Sequence, residues 1–243
     1  MPETGWNGYH REDLRVAGRD CILVSPSAAR RGRPWIWRTE FFDAFPSVDL
    51  ALLKAGFHLA HMDVQNMYGA PVSLDLLDRF YERLMQERGL AVRPVLEGFS
   101  RGALFALNWS ARHPSRVACL YLDAPVCDFK SWPGGKGRAP GSATDWEFLK
   151  KAYGFADEAQ ALGYRGGPLD NLAPLAQAGV PIIAVYGEAD VDLPPEENVL
   201  ELQRRYAQLG GEISVLAKPA VGHHPHSLLD PEPIVQFILA RAL

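Results

Sequence analysis

The period of apolar and polar positions changes repeatedly along this chain of 243 residues. Short apolar runs rich in β-branched residues predict strands: "CILVS" (21–25), "GFHLAHMDV" (56–64), "VRPVLEG" (92–98), "VACLYLDAP" (117–125), "VPIIAVYG" (180–187) and "EISVLAKP" (212–219). Stretches with helical spacing separate them at 46–55, 73–88, 100–112, 195–209 and 231–241. This alternation predicts a mostly parallel sheet covered by helices, an α/β fold. "LRVAG" (14–18) predicts an antiparallel edge strand ahead of the others.

One long segment breaks the alternation, residues 126–179. Its start is rich in Gly and Pro (133–141), while 143–162 carries enough apolar residues for one or two helices. Insertions of this length in small domains usually serve as lids or binding loops. The segment is therefore expected to be a small cap on the carboxyl edge of the sheet, inside a single domain spanning 1–243.

Composition narrows the classes. A net charge of −4 provides no basic footprint for nucleic acid or an anionic membrane. No apolar run reaches the ~18 to 20 residues of a membrane span, and residues 1–13 lack a signal peptide's apolar stretch. The expected location is cytoplasmic, with a secreted or periplasmic one open if a leader has been removed. Cys21, Cys119 and Cys127 lack metal-ligand spacing and are expected to be buried free thiols.

The candidate chemistry starts at Gly98-Phe99-Ser100-Arg101-Gly102. Gly-x-Ser-x-Gly alone is weak, since this composition yields roughly 0.09 matches per chain by chance. Its setting is more informative, because it follows a predicted strand and opens a predicted helix, as a nucleophile elbow requires. The glycines suit a strained turn where strand and helix approach closely, and the Arg101 N–H at the helix start would be a natural first oxyanion donor. A serine nucleophile also needs an imidazole to take its proton and a carboxylate to orient that imidazole. Gly187-Glu188-Ala189-Asp190 and Gly222-His223-His224 arrive at the ends of two later strands, in the order Ser, acid, His.

Those three segments resemble the α/β-hydrolase superfamily over about residues 14–243. The resemblance implies an α/β-hydrolase fold and a carboxylic ester hydrolase working through an acyl-enzyme without cofactor or metal. It makes Ser100 the nucleophile, Asp190 the acid and His223 the base. Asp192 is the rival acid and His224 the rival base. "HHPH" also offers His223, His224 and His226 as metal ligands, with no second Cys/His/Asp cluster to support that reading.

Other residues are expected around the substrate. The loop at 25–46 lacks the His-Gly pair of lipases, so the second oxyanion donor is sought among Ser27, Ala28 and Trp37. Trp35 and Trp37 could line an aromatic wall or pack the loop. Arg101 is similar to the arginine of the Gly-Cys-Ser-Arg elbow in glucuronoyl esterases, which implies a guanidinium near the oxyanion; a salt bridge with Glu97 or a helix-face charge is the alternative. Arg38 raises the same question. Tyr68, near Asp63 and Asn66, and Trp132, near Asp128, fall at strand ends where substrate contacts are expected. His58 and His61 are expected to be core or edge residues. The expected partner is a small or medium polar ester, such as an acylated or esterified carbohydrate, rather than a long-chain lipid. An oligopeptidase-like hydrolase and a non-catalytic receptor of the same fold are the competing readings, and oligomeric state stays open.

Overall fold

The computed structural model describes residues 4–242, in which nine strands hydrogen-bond into one sheet. They are β1 (Thr4–Trp6), β2 (Tyr9–Val16), β3 (Arg19–Ser25), β4 (Trp35–Arg38), β5 (His58–Met62), β6 (Val95–Phe99), β7 (Cys119–Asp123), β8 (Ile182–Gly187) and β9 (Ile213–Lys218). Their order across the sheet is β1-β2-β3-β5-β4-β6-β7-β8-β9. From β5 to β9 all pairings are parallel, while β1, β2 and β3 continue the sheet antiparallel from β5. This is the α/β-hydrolase arrangement, mostly parallel and flanked by helices.

Two expectations shift at the amino-terminal end. The antiparallel strand expected at 14–18 runs from Tyr9 to Val16 and is not the edge, because β1 pairs outside it. It stops there because Ala17 and Gly18 both take positive φ in the turn to β3. The segment 25–46, read as a loop, contains β4, a four-residue strand wedged between β5 and β6. All four β4 residues are buried, with Trp35 and Trp37 on one face and Ile36 on the other.

Helices cover both faces. Leu77, Phe80, Tyr81 and Leu84 of α2 (Pro71–Arg88), Phe105, Ala106 and Trp109 of α3 (Gly102–Arg112), and Leu202 and Tyr206 of α7 (Val199–Gln208) build the core over one face. On the other face lie Val48, Leu52 and Leu53 of α1 (Ser47–Lys54) and Ile234, Phe237 and Ile238 of α8 (Glu232–Leu239). Local chemistry sets the limits of α2: Pro71 occupies its first turn and Gly89 closes it with φ 58. Between Gly102 and Ser110 every residue of α3 is buried, as its apolar sequence requires.

The 126–179 segment contains α4 (Ala143–Tyr153), α5 (Glu158–Gly163) and α6 (Ala173–Gln177). Phe129, Trp146, Leu149 and Ala161 form a separate apolar cluster with Tyr68, Leu104 and Leu193, which seats this segment over the carboxyl end of the sheet. The three cysteines are free and buried, and burial pushes the thiols of Cys21 and Cys119 up to about 12.

Candidate active site

Ser100 sits between β6 and α3 with φ 48, a left-handed conformation that costs a non-glycine residue about 1–3 kcal/mol. The surrounding contacts explain the two glycines. A Cβ on Gly98 would stand 2.7 Å from the Cα of Ala103, so only glycine lets the helix turn back this tightly onto the strand. At Gly102 a Cβ would meet Thr39 Oγ1 at 3.2 Å and Glu40 Cβ at 3.3 Å, where the chain after β4 passes the elbow. Thr39 fastens that chain by donating to the Glu97 or Gly102 carbonyl, at 2.9 and 2.8 Å.

The later strand ends deliver the partners. His223 Nε2 lies 3.0 Å from Ser100 Oγ, and its Nδ1 lies 2.8 Å from Asp190 Oδ2. The other Asp190 oxygen accepts the Leu193 N–H at 2.8 Å, and the carboxylate is buried. Gly187 makes this meeting possible, because a Cβ there would stand 2.2 Å from the Gly222 carbonyl oxygen. The loops after β8 and β9 are bonded through Ala189 N–H to the Val221 carbonyl at 2.9 Å. Asp192 is exposed and lines the cleft without reaching His223, and His224 is exposed beside it. Partial desolvation and the neighbouring imidazoles of His226 and His223 hold His224 below the usual histidine range.

A cleft of about 200 Å³ opens over Ser100. Val126, Trp132 and Leu193 supply its apolar wall, Pro140 and Gly141 its rim, and Asp192, His223 and His224 its polar side. The structure thus brings Trp132 to the cleft.

Five other expected contact residues, Ser27, Ala28, Trp37, Arg38 and Tyr68, do not line it. Ser27 and Ala28 follow β3, which runs antiparallel to β5, so they emerge at the opposite edge of the sheet, beside Gly56. Trp37 is fully buried on the α2 and α3 face, 5.0 Å from Trp109 and 5.7 Å from Phe80 between ring centres. Arg38, on the opposite side of β4, is also buried. Its guanidinium pairs with Asp49 and lies 3.4 Å from Glu97, with Phe99 beneath it at 4.3 Å. Burial pushes the Glu97 carboxyl well above the usual range; Arg38 opposes the shift and Asp49 reinforces it.

Arg101 pairs with Glu40 at 2.8 Å and Asp145 at 3.0 Å rather than with Glu97. Both carboxylates belong to neighbouring segments, so the guanidinium ties the elbow to the loop after β4 and to α4. Tyr68 is buried and donates to the same Asp145 at 2.6 Å, with Arg101 5.5 Å from its ring centre, so it supports this tie instead of lining the cleft. Asp145 stays below its usual range despite burial, because Ser142, Tyr68 and Arg101 all hydrogen-bond to it. Glu40 is buried, its Oε2 has no hydrogen-bond partner among the described residues, and burial pushes its carboxyl up to about 7 against the pull of Arg101.

Sequence reasoning missed Glu40, Asp145 and a second histidine–aspartate pair. His226 Nδ1 lies 2.8 Å from Asp123 Oδ1, while Asp123 Oδ2 accepts the Ser227 N–H at 2.8 Å. The apolar run before Arg38 was the available signal for Glu40, since a strand there places the following residues at the carboxyl edge of the sheet, beside Ser100. Asp123 and His226 are 103 positions apart, and no local pattern joins them.

Comparisons with known proteins agree with this fold. The family model of the α/β hydrolase fold matches residues 4–174. Pyrococcus horikoshii acylaminoacyl peptidase superposes with a TM-score of 0.71 at 12% identity, over 96% of this chain and 42% of the peptidase. Porphyromonas gingivalis dipeptidyl peptidase 4 gives 0.72 at 14%, over 98% of this chain and 36% of the other. A bacterial membrane phospholipase A described as a virulence factor gives 0.61 at 15%, over 96% and 85%. This chain therefore spans less than half the length of the two peptidases, and at such identities the likeness is one of fold. None of the curated proteins compared matches the chain. Among the described residues no helix is long and apolar enough to cross a membrane. The chain belongs to the α/β hydrolase fold family.

Proposed function

We propose that this protein is a serine hydrolase that cleaves small, polar carboxylic esters through an acyl-enzyme. The observation that carries the proposal is the unbroken chain from Ser100 through His223 to Asp190, at 3.0 and 2.8 Å. In it Asp190 accepts from Nδ1–H, which leaves Nε2 free to take the Ser100 proton as Oγ attacks the ester carbonyl. The imidazolium then protonates the leaving alcohol. Water, deprotonated by the same nitrogen, releases the acid and restores Ser100.

The N–H of Arg101 is one oxyanion donor. It lies at the start of α3, ahead of the first turn bond from Ala103 N–H to the Ser100 carbonyl. The second donor comes from the chain at Glu40 and Phe41, which Gly102 admits to the elbow; a Cβ there would be 3.6 Å from the Glu40 nitrogen. This replaces Ser27, Ala28 and Trp37 in that role.

The cleft favours a compact ligand. About 200 Å³ suits a short acyl group or a single sugar ring, and the mix of Trp132, Asp192 and His224 suits a polar one. Arg101 already has two carboxylate partners, which argues against uronate esters held by a free guanidinium. The test is a panel of acetylated sugars, uronate methyl esters, aryl esters, long-chain esters and peptides, run with wild type and Ser100→Ala. Short polar esters should turn over with wild type alone, and a fluorophosphonate should label wild type alone. Peptide cleavage without ester cleavage would overturn the ester reading, and the absence of both turnover and labelling would overturn the hydrolase reading.

A further inference from the structure

The loop after β9 holds more imidazole than the triad uses. His223, His224 and His226 each present a ring nitrogen within 4.8 Å of the other two. Two of these rings are fixed in the same manner. His223 and His226 each have Nδ1 held at 2.8 Å by a buried aspartate, Asp190 and Asp123 respectively. A carboxylate on one ring nitrogen is the usual outer support of a metal-bound histidine, because it fixes the tautomer and leaves the other nitrogen as a lone-pair donor.

The free nitrogen is Nε2 in both rings. That of His226 has no hydrogen-bond partner among the described residues, and that of His223 meets only Ser100. His224 has no hydrogen-bond partner either and is exposed, with its ring centre 4.7 Å from that of His226 and 4.9 Å from that of His223. Three imidazoles with one open position suit a borderline divalent cation such as zinc, whose nitrogen ligands bind at about 2.0–2.1 Å. Tetrahedral nitrogens then stand roughly 3.4 Å apart. The two supported rings have their centres 5.1 Å apart, and rotation of the exposed His224 ring can turn one of its nitrogens toward them.

We propose that His223, His224 and His226 form a reversible zinc site that switches the triad off. Zinc on Nε2 of His223 occupies the lone pair that must accept the Ser100 proton, so metal binding and nucleophile activation exclude each other. The inference rests on the proposed role of His223 for its inhibitory effect, whereas metal binding itself rests only on the three rings and their aspartates.

The test uses the purified full chain and zinc ion alone. Isothermal titration calorimetry should give one zinc per chain for wild type and for Ser100→Ala. In His224→Ala, where an exposed side chain is removed, zinc affinity should fall by on the order of tenfold or more. In wild type, saturating zinc should slow fluorophosphonate labelling of Ser100 by on the order of tenfold or more, reversed by EDTA. No binding by calorimetry, or binding that His224→Ala does not weaken, overturns the site; binding without protection from labelling overturns the switch. If wild type is never labelled, the hydrolase reading fails while calorimetry still decides the metal site.

Discussion

Asp190 and His223 meet through Oδ2 and Nδ1 at 2.8 Å, and Asp190 uses its second oxygen to hold the N–H of Leu193 in the same loop. The carboxylate is thus fixed at both ends before it orients the imidazole. Asp192, two residues on, is exposed. Asp190→Asn should lower kcat/KM by on the order of 10⁴, because an amide favours the wrong imidazole tautomer. Asp192→Asn should change it by about tenfold at most, chiefly in KM. Steady-state kinetics on the best ester of the panel checks both, and a larger loss at Asp192 would reassign the acid.

Beneath the elbow, Arg38 is the cation shared by Asp49 and Glu97, and all three side chains are buried. Replacing Arg38 with Met strands two carboxyl groups in the core and should cost about 3–5 kcal/mol. Glu97→Gln should cost about 1 kcal/mol, because burial pushes this carboxyl upward, toward its proton-bearing form, and the amide keeps the shape. Urea unfolding of the two variants measures the contrast. Equal losses would show that Glu97 is ionised in the folded chain.

Glu40 makes stability depend on pH. Its carboxyl is pushed up to about 7 from 4.5, chiefly by burial, so the folded chain keeps a proton that the unfolded chain has already lost. The contribution is therefore full below about 4.5 and lost as pH rises through about 7. Its size is on the order of 3 kcal/mol. Between pH 5 and pH 8 wild type should lose stability relative to Glu40→Gln, which has no proton to lose at that position. Parallel thermal melts at the two pH values give the difference, and identical slopes would place the titration elsewhere.

Several parts of this protein are legible in the one-dimensional pattern. Strands of the parallel sheet show as apolar runs because they are buried on both faces, and the helical spacing at 73–88 falls within α2. The Ser100, Asp190 and His223 positions are legible because each lies within five residues of a strand end, and parallel strands must all deliver their following residues to the same edge.

What the sequence left open depended on neighbours far along the chain. β4 is four residues long and lies among arginines and prolines, too short for a period to show, yet its insertion between β5 and β6 sends Trp37 into the core and Arg38 beneath the elbow. The antiparallel pairing of β3 likewise carries Ser27 and Ala28 to the far edge, which no local signal reveals. Arg101 chooses Glu40 and Asp145 over Glu97 because Glu97 is committed within the sheet to Arg38. Sequence determined the covalent order and local period, and with them the strand ends that carry the proposed triad. Tertiary structure decided which charges share a low-dielectric interior and which imidazoles face one another, because those energies depend on separation in space and on exclusion of water.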